Sequence, residues 1–241
     1  MSVPFYAARL KLKRARKHLA DLAEAVEEWR ASDPITNTIT HSEASVGPWE
    51  GNTRTLASDF KGTTAIAALP EALPVIIGDV IHNARSALDL MASECAKQNG
   101  KSPNGVRFPF SKVEEDFEKR LQESNFRRGG DAALRLVREL RPFPTGNPAL
   151  RALHDLDLKD KHQELISDAA WAADLFQFRF DKMPPYLEFN PDLYDSLTLV
   201  MPAGVFWEGK PLVGTMEHLL EVAEGVVEAF AALYPVEPST G

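Results

Sequence analysis

Cysteine is nearly absent from this chain of 241 residues: Cys95 stands alone. One thiol cannot close an intrachain disulfide, and it cannot supply a cysteine-rich zinc site. That suits a reducing compartment, so the cytoplasm is the expected location. Long apolar runs are lacking too. No stretch reaches the ~18 residues that a membrane-crossing helix needs, since the run at 73–77 meets Gly78 and Asp79 at once. No membrane partner is expected. The opening residues, Met-Ser-Val-Pro-Phe-Tyr, lead into a basic run without the apolar core of a secretory signal. No P-loop, G-x-G-x-x-G, G-x-S-x-G or C-x-x-C motif occurs, which removes the common nucleotide, dinucleotide, hydrolase-elbow and redox readings. Positive charge is in short supply: 27 Lys and Arg face 35 Asp and Glu, a formal net charge of -8. That balance disfavours bulk electrostatic capture of nucleic acid. Repeats and low-complexity tracts are missing as well.

What is present is ordinary for a globular chain, with 44% hydrophobic and 26% charged residues. At this length roughly 70% or more of the unfolded chain's surface can be buried. The apolar spacing of Leu10, Leu19, Leu22, Ala23 and Val26 predicts a helix over 5–30. Its first half is basic and its second half acidic, the reverse of what the helix dipole favours. A solvated charged face explains this, and so does a basic end that meets phosphate or a partner subunit. Residues 37–45 and 53–60 read as strands joined by a hairpin. Pro70 and Pro74 open a helix that runs to about Gln98, and Asn99-Gly100 stops it. Ser111 reads as the cap of a helix over 112–123. Further helices are expected over 132–140, 149–165 and 214–234, with strands at 175–180 and 197–201. This pattern predicts an α+β fold. A single domain over 1–241 would pack a helical core with one small antiparallel sheet, and 235–241 would be a disordered tail.

Two polar clusters sit on these helices. Residues 78–89 read G-D-V-I-H-N-A-R-S-A-L-D. At about 100° per residue, His82, Arg85, Ser86 and Asp89 share one stripe, while Val80, Ala87, Leu88 and Met91 fill the other side. Alone, this is what any amphipathic helix shows, with an i,i+4 ion pair between Arg85 and Asp89. The second cluster, 154–162, reads H-D-L-D-L-K-D-K-H. There Leu150, His154, Leu158, Lys161 and Leu165 form one stripe, so His154 and Lys161 point where leucines point. A buried lysine needs a carboxylate, and Asp89 is the expected partner of Lys161. Asp157 lies beside the stripe, within reach of Arg85. Such an array either fixes helix register as a salt-bridge network or lines a pocket with histidines for proton transfer.

The pair H-N-A-R-S-A-L-D and, some 65 residues later, A-L-H-D-L-D-L-K-D-K-H resembles a group of uncharacterised bacterial proteins. That group is marked by H-N-x-R-S-A-L-D and L-H-x-L-x-x-x-D-K-H helices. The likeness covers roughly 70–166. It implies that His82, Asn83, Arg85, Asp89, His154, Asp160, Lys161 and His162 belong to one site, and it carries no activity. Gln163 stands where that pattern has Arg.

The chain is also loosely similar to the helical HEPN superfamily, which implies an RNA-acting role and a dimer. A histidine would be the general base, and Arg85 would stabilise the phosphorane. The superfamily's R-x-x-x-x-H motif is absent. A noncatalytic protein that binds a small anion or a partner protein is the alternative, with Arg127 and Arg128 leading into a helix N-terminus able to hold phosphate. A metal-dependent helical-bundle hydrolase using His82, His154 and His162 is a third reading. His154 and His162 are awkwardly spaced to share one ion, so neither a metal nor a cofactor is expected.

Overall fold

A computed structural model describes residues 4–41, 45–50, 53–57, 60–162, 176–179, 186–189, 199–202, 204–205 and 207–235. For Lys161, His162 and most strand residues it describes the backbone only. The chain forms two compact units. One comprises Met1–Ala25, Glu71–Ala170 and Leu199–Gly241, and the other Val26–Pro70 and Trp171–Thr198.

Among the described residues, the first unit carries the helices α1 (Tyr6–Ala31, whose end passes into the second unit), α2 (Ala72–Gln98), α3 (Phe117–Glu123), α4 (Gly130–Leu140), α5 (Pro148–His162) and α6 (Leu212–Ala231). A 3-10 turn, Phe126–Gly129, leads into α4. Among the described residues, its only β-pairing is an isolated bridge between Val200 and Pro211. The expected α+β class is therefore corrected to an all-α fold. Among the described residues, pairing in the second unit forms three separate two-stranded ladders. β1 (Ile35–His41) pairs with β4 (Phe60–Ile66), β2 (Ser45–Glu50) with β3 (Thr53–Ala57), and β5 (Phe176–Arg179) with β6 (Tyr186–Phe189). The anticipated hairpin is thus nested: the strand after His41 is not its partner. The physical reason for the correction is that helices complete the core without a sheet. α2 packs against α4, α5, α6 and the 3-10 turn, and its buried residues include Asn83 and Arg85 as well as the apolar set.

In α1 the buried residues are Ala8, Leu12, Ala15, Leu19, Leu22, Val26 and Trp29. Steps of four and three alternate throughout, the spacing of a coiled-coil seam. Leu10, expected inside, is exposed. The basic half of α1 meets acidic α6: Arg9 pairs with Glu228 through two hydrogen bonds of 2.8 and 2.7 Å, and Arg16 Nε donates to Glu224 at 3.0 Å. This explains the inverted charge order of α1, whose cations neutralise a neighbouring helix. No described helix is long and apolar enough to cross a membrane.

The hydrogen bond from Arg9 holds the Glu228 carboxyl below the usual carboxylate range, against a smaller opposing effect of burial. A depressed folded-state pKa gives stability that is present at neutral pH and lost as pH falls through that value. The pair is largely exposed, which limits it to ~0.2–1 kcal/mol. Glu228→Gln should lower the urea-unfolding free energy by about that amount at pH 7, with the difference shrinking at acid pH as the carboxyl takes up its proton. An equal difference at neutral and acid pH would refute the ion-pair account.

One helix starts later than expected. α3 begins at Phe117, and Ser111 does not cap it: its hydroxyl donates to the Val113 carbonyl at 2.7 Å. α5 is described only to His162. Residues 163–165 lie outside the described set.

Candidate functional site

α2 and α5 lie side by side at close range. A Cβ on Gly78 of α2 would stand 2.7 Å from Asp160 Oδ1 of α5, so the bare glycine makes room for that carboxylate. This packing sets His82 and Arg85 against His154 and Asp157.

Arg85 is 8% exposed. One terminal nitrogen sits 2.8 Å from Asp89 Oδ1, and its Nε donates to His154 Nδ1 at 3.3 Å. Its guanidinium carbon lies 4.4 Å from the Phe110 ring centroid, within cation–π range. The Asp89 contact is ionic, without hydrogen-bond alignment. Donation from a guanidinium requires a lone pair on His154 Nδ1, so the neutral ring carries its proton on Nε2. That ring stacks on Phe110 with centroids 4.6 Å apart and planes 2° apart.

Asp89 also accepts the Phe108 backbone N–H at 2.8 Å. It thereby ties the loop after α2 to the helix. Arg107 N–H to the Ser124 carbonyl (2.9 Å) and Ser93 hydroxyl to the Val106 carbonyl (3.2 Å) hold the same loop. The anchored loop roofs a cleft of about 260 Å³. Arg85, Arg107, Lys112, Arg120 and Arg151 line it, with His154, Phe108 and Phe110, against a single carboxylate, Glu123. Arg120 donates to Glu123 at 2.6 Å, and the buried Arg151 pairs with Asp155. Among the described residues, Arg107 and Lys112 have no ion-pair partner.

The expected site residues thus divide. Arg85 and His154 line the cleft, and Asp89 holds Arg85 and the Phe108 amide from outside its lining. His82 lies at a separate cluster, its Nδ1 3.2 Å from Oδ1 of buried Asp157. So Asp157 serves His82, and the described partners of Asp89 are Arg85 and the Phe108 N–H. Asn83 turns toward α1, accepting a hydrogen bond from Lys11 Nζ at 3.1 Å and donating to the Asp79 carbonyl at 2.7 Å. Asp160 packs at Gly78. The side chains of Lys161 and His162 lie outside the described residues. Arg127 and Arg128 do not reach the cleft. Arg127 pairs with Glu118 at 3.5 Å, and Arg128 donates to the Asn104 carbonyl at 2.9 Å, latching a loop. The α5 stripe needs correction at Leu158, which is exposed.

Sequence reasoning passed over Arg107, Lys112, Arg120 and Arg151. A signal existed in R-F-P-F-S-K at 107–112, where cations flank aromatics and a proline in a loop. Among the described residues, no group of three or more His, Cys, Asp or Glu could hold a metal ion. Compared with protein-family models, curated proteins and solved structures, the chain matches none.

Proposed function

We propose that this chain binds a small anion bearing a phosphate or carboxylate group in the cleft between α2, α3, α5 and the loop at 107–112. One observation carries the reading. Five cations converge on a cavity with one carboxylate, in a chain whose net charge is -8. Like charges gathered at one point repel each other unless an anion neutralises them. Arg85, Arg120 and Arg151 have carboxylates beside them, while Arg107 and Lys112 remain for a ligand. Arginine suits the task because its planar fork matches both carboxylate and phosphate. Burial of Arg85 and Arg151 keeps that charge from being fully screened by solvent.

Titration calorimetry with inorganic phosphate and with citrate at low ionic strength tests the reading. One site is expected, weakened by salt. Charged hydrogen bonds are worth ~1.5–3 kcal/mol, so Arg107→Ala should weaken binding by about 10- to 150-fold. Absence of saturable heat with either anion, or equal affinity in the variant, would count against it.

An RNA-acting role rests on the motif resemblance and would use the same cations. Strand-binding grooves track several nucleotides, about 4–16 in single-strand folds, and a cavity of about 260 Å³ suits one anionic group better. Short single-stranded RNA in the same titration separates the two. RNA binding without phosphate or citrate binding would favour the RNA-acting role.

A further inference from the structure

Three side chains outside the cleft form a hydrogen-bonded line. Ser86 Oγ lies 3.4 Å from His82 Nε2, and His82 Nδ1 lies 3.2 Å from Asp157 Oδ1. Ser86 and His82 are one turn apart on α2 and share a face. Asp157 comes from α5 and is 4% exposed, whereas the His82 side chain is 45% exposed. We propose that these residues form a nucleophilic site for activated carboxylic esters, with Ser86 as nucleophile, His82 as general base and Asp157 as the residue that positions the imidazole.

The order of contacts supports these roles. A buried carboxylate needs a donor, and His82 Nδ1–H is placed to supply it. That fixes the tautomer: the lone pair sits on Nε2, on the side where Ser86 presents its hydroxyl. The same logic of nucleophile, base and orienting carboxylate recurs on unrelated folds and is recognised by geometry rather than by chain order. Contacts of 3.2–3.4 Å are looser than in a reacting complex, as ligand-free sites commonly are.

The chemistry balances without any added reagent. Ser86 Oγ bonds to the acyl carbon as its proton passes to His82 Nε2. The ester's C–O bond then breaks, and the alcohol departs with that proton. Water repeats the sequence on the acyl-serine, releasing the acid. The helix's own N–H groups are tied into the α2 ladder, so no backbone oxyanion hole forms there. Without paired rigid donors at the developing oxyanion, the site is restricted to esters with good leaving groups.

The probes are phenylmethanesulfonyl fluoride and p-nitrophenyl acetate, both uncharged and so independent of anion binding in the cleft. After incubation with the full chain, intact mass and peptide mapping should show one adduct, on Ser86. His82→Gln should label at least tenfold more slowly, and Ser86→Ala not at all. Asp157→Asn should slow labelling of Ser86 while Asp157→Glu, which keeps the carboxylate, restores it; a purely structural role would not be rescued by the charge alone. An adduct elsewhere with Ser86 unmodified, or wild-type labelling of His82→Gln, overturns the proposal. The mapped position in the wild-type chain decides the matter even if a variant fails to fold.

Discussion

Replacing Phe126 with alanine should lower the unfolding free energy by about 3–5 kcal/mol, the usual cost of emptying a large aromatic site in a core. Phe126 is fully buried. Its ring meets Phe108 edge-on at 6.1 Å and Phe230 edge-on at 5.9 Å. Edge-to-face pairs add ~0.5–1.5 kcal/mol each beyond the area they bury. The residue opens the 3-10 turn, so it joins that turn to α6 and to the cleft loop. For a chain of this size ~2–4 °C of melting temperature goes with each kcal/mol, and a fall of about 6–20 °C should follow. The effect should reach the cleft too. Phe108 is one of its walls, and loosening that ring relaxes the loop that carries Arg107. A weaker affinity for inorganic phosphate should therefore accompany the lower melting point. A urea titration showing less than about 1 kcal/mol of destabilisation would mean that the site collapses around the missing ring, and that Phe126 does not join these elements.

Alkaline pH should destabilise the protein through Cys95. Burial pushes its thiol from the ordinary 9.0 up to about 12, with the nearby Glu94 adding to the rise and a hydrogen bond with Tyr234 opposing it. The Tyr234 phenol is raised as well, chiefly by burial and further by Cys95. Its hydroxyl donates to the Gly129 carbonyl at 3.0 Å. In the unfolded chain the thiol ionises near its ordinary 9.0; in the folded protein it stays protonated. A raised folded-state value favours folding below the unfolded pKa only by comparison: as pH climbs above it, the unfolded state gains the ionised form and stability falls. Each pKa unit corresponds to ~1.36 kcal/mol, which puts the ceiling at about 4 kcal/mol and the loss by pH 11 at about 2–3. Urea midpoints of wild type and Cys95→Ala between pH 8 and pH 11 measure this. The wild type should decline more steeply, and Tyr234→Phe should remove part of the excess above pH 10. Parallel curves for wild type and Cys95→Ala would show that the thiol carries no linkage.

The parts of this molecule that local chemistry dictates were legible. Pro70, Pro74 and the Asn99-Gly100 stop bracket α2 because proline and a left-handed glycine act within one turn. Gly100 indeed has φ of 65°. What depends on a distant partner was not legible. Leu10 faces outward and Ala15 inward because the neighbouring helices, not the hydrophobicity of each residue, define the seam. β1 pairs with β4 rather than with the next strand, a choice no residue of β1 announces. At the site, helix spacing brought His82, Arg85 and Asp89 together on α2, and it placed His154 and Asp157 on α5. It paired Arg85 with Asp89, as found, but gave Asp157 to Arg85 where its described partner is His82, because distances between helices are not encoded in either wheel. Arg107 and Lys112 escaped notice for a different reason. A loop side chain points where its anchors aim it, and here the anchor is Asp89 on the Phe108 amide, nineteen residues away in sequence.

The helical unit is assembled from three stretches of chain, with the strand-bearing segments inserted between them. Closing an excursion of the chain costs entropy that grows only with the logarithm of its length, about 0.6 kcal/mol per doubling. The helical core is thus nearly indifferent to how long those inserted segments are. Evolution could lengthen, trim or exchange them while the cleft on α2 and α5 kept its shape. A molecule wired in this way carries a packed helical frame and, on the same thread, segments whose length that frame tolerates.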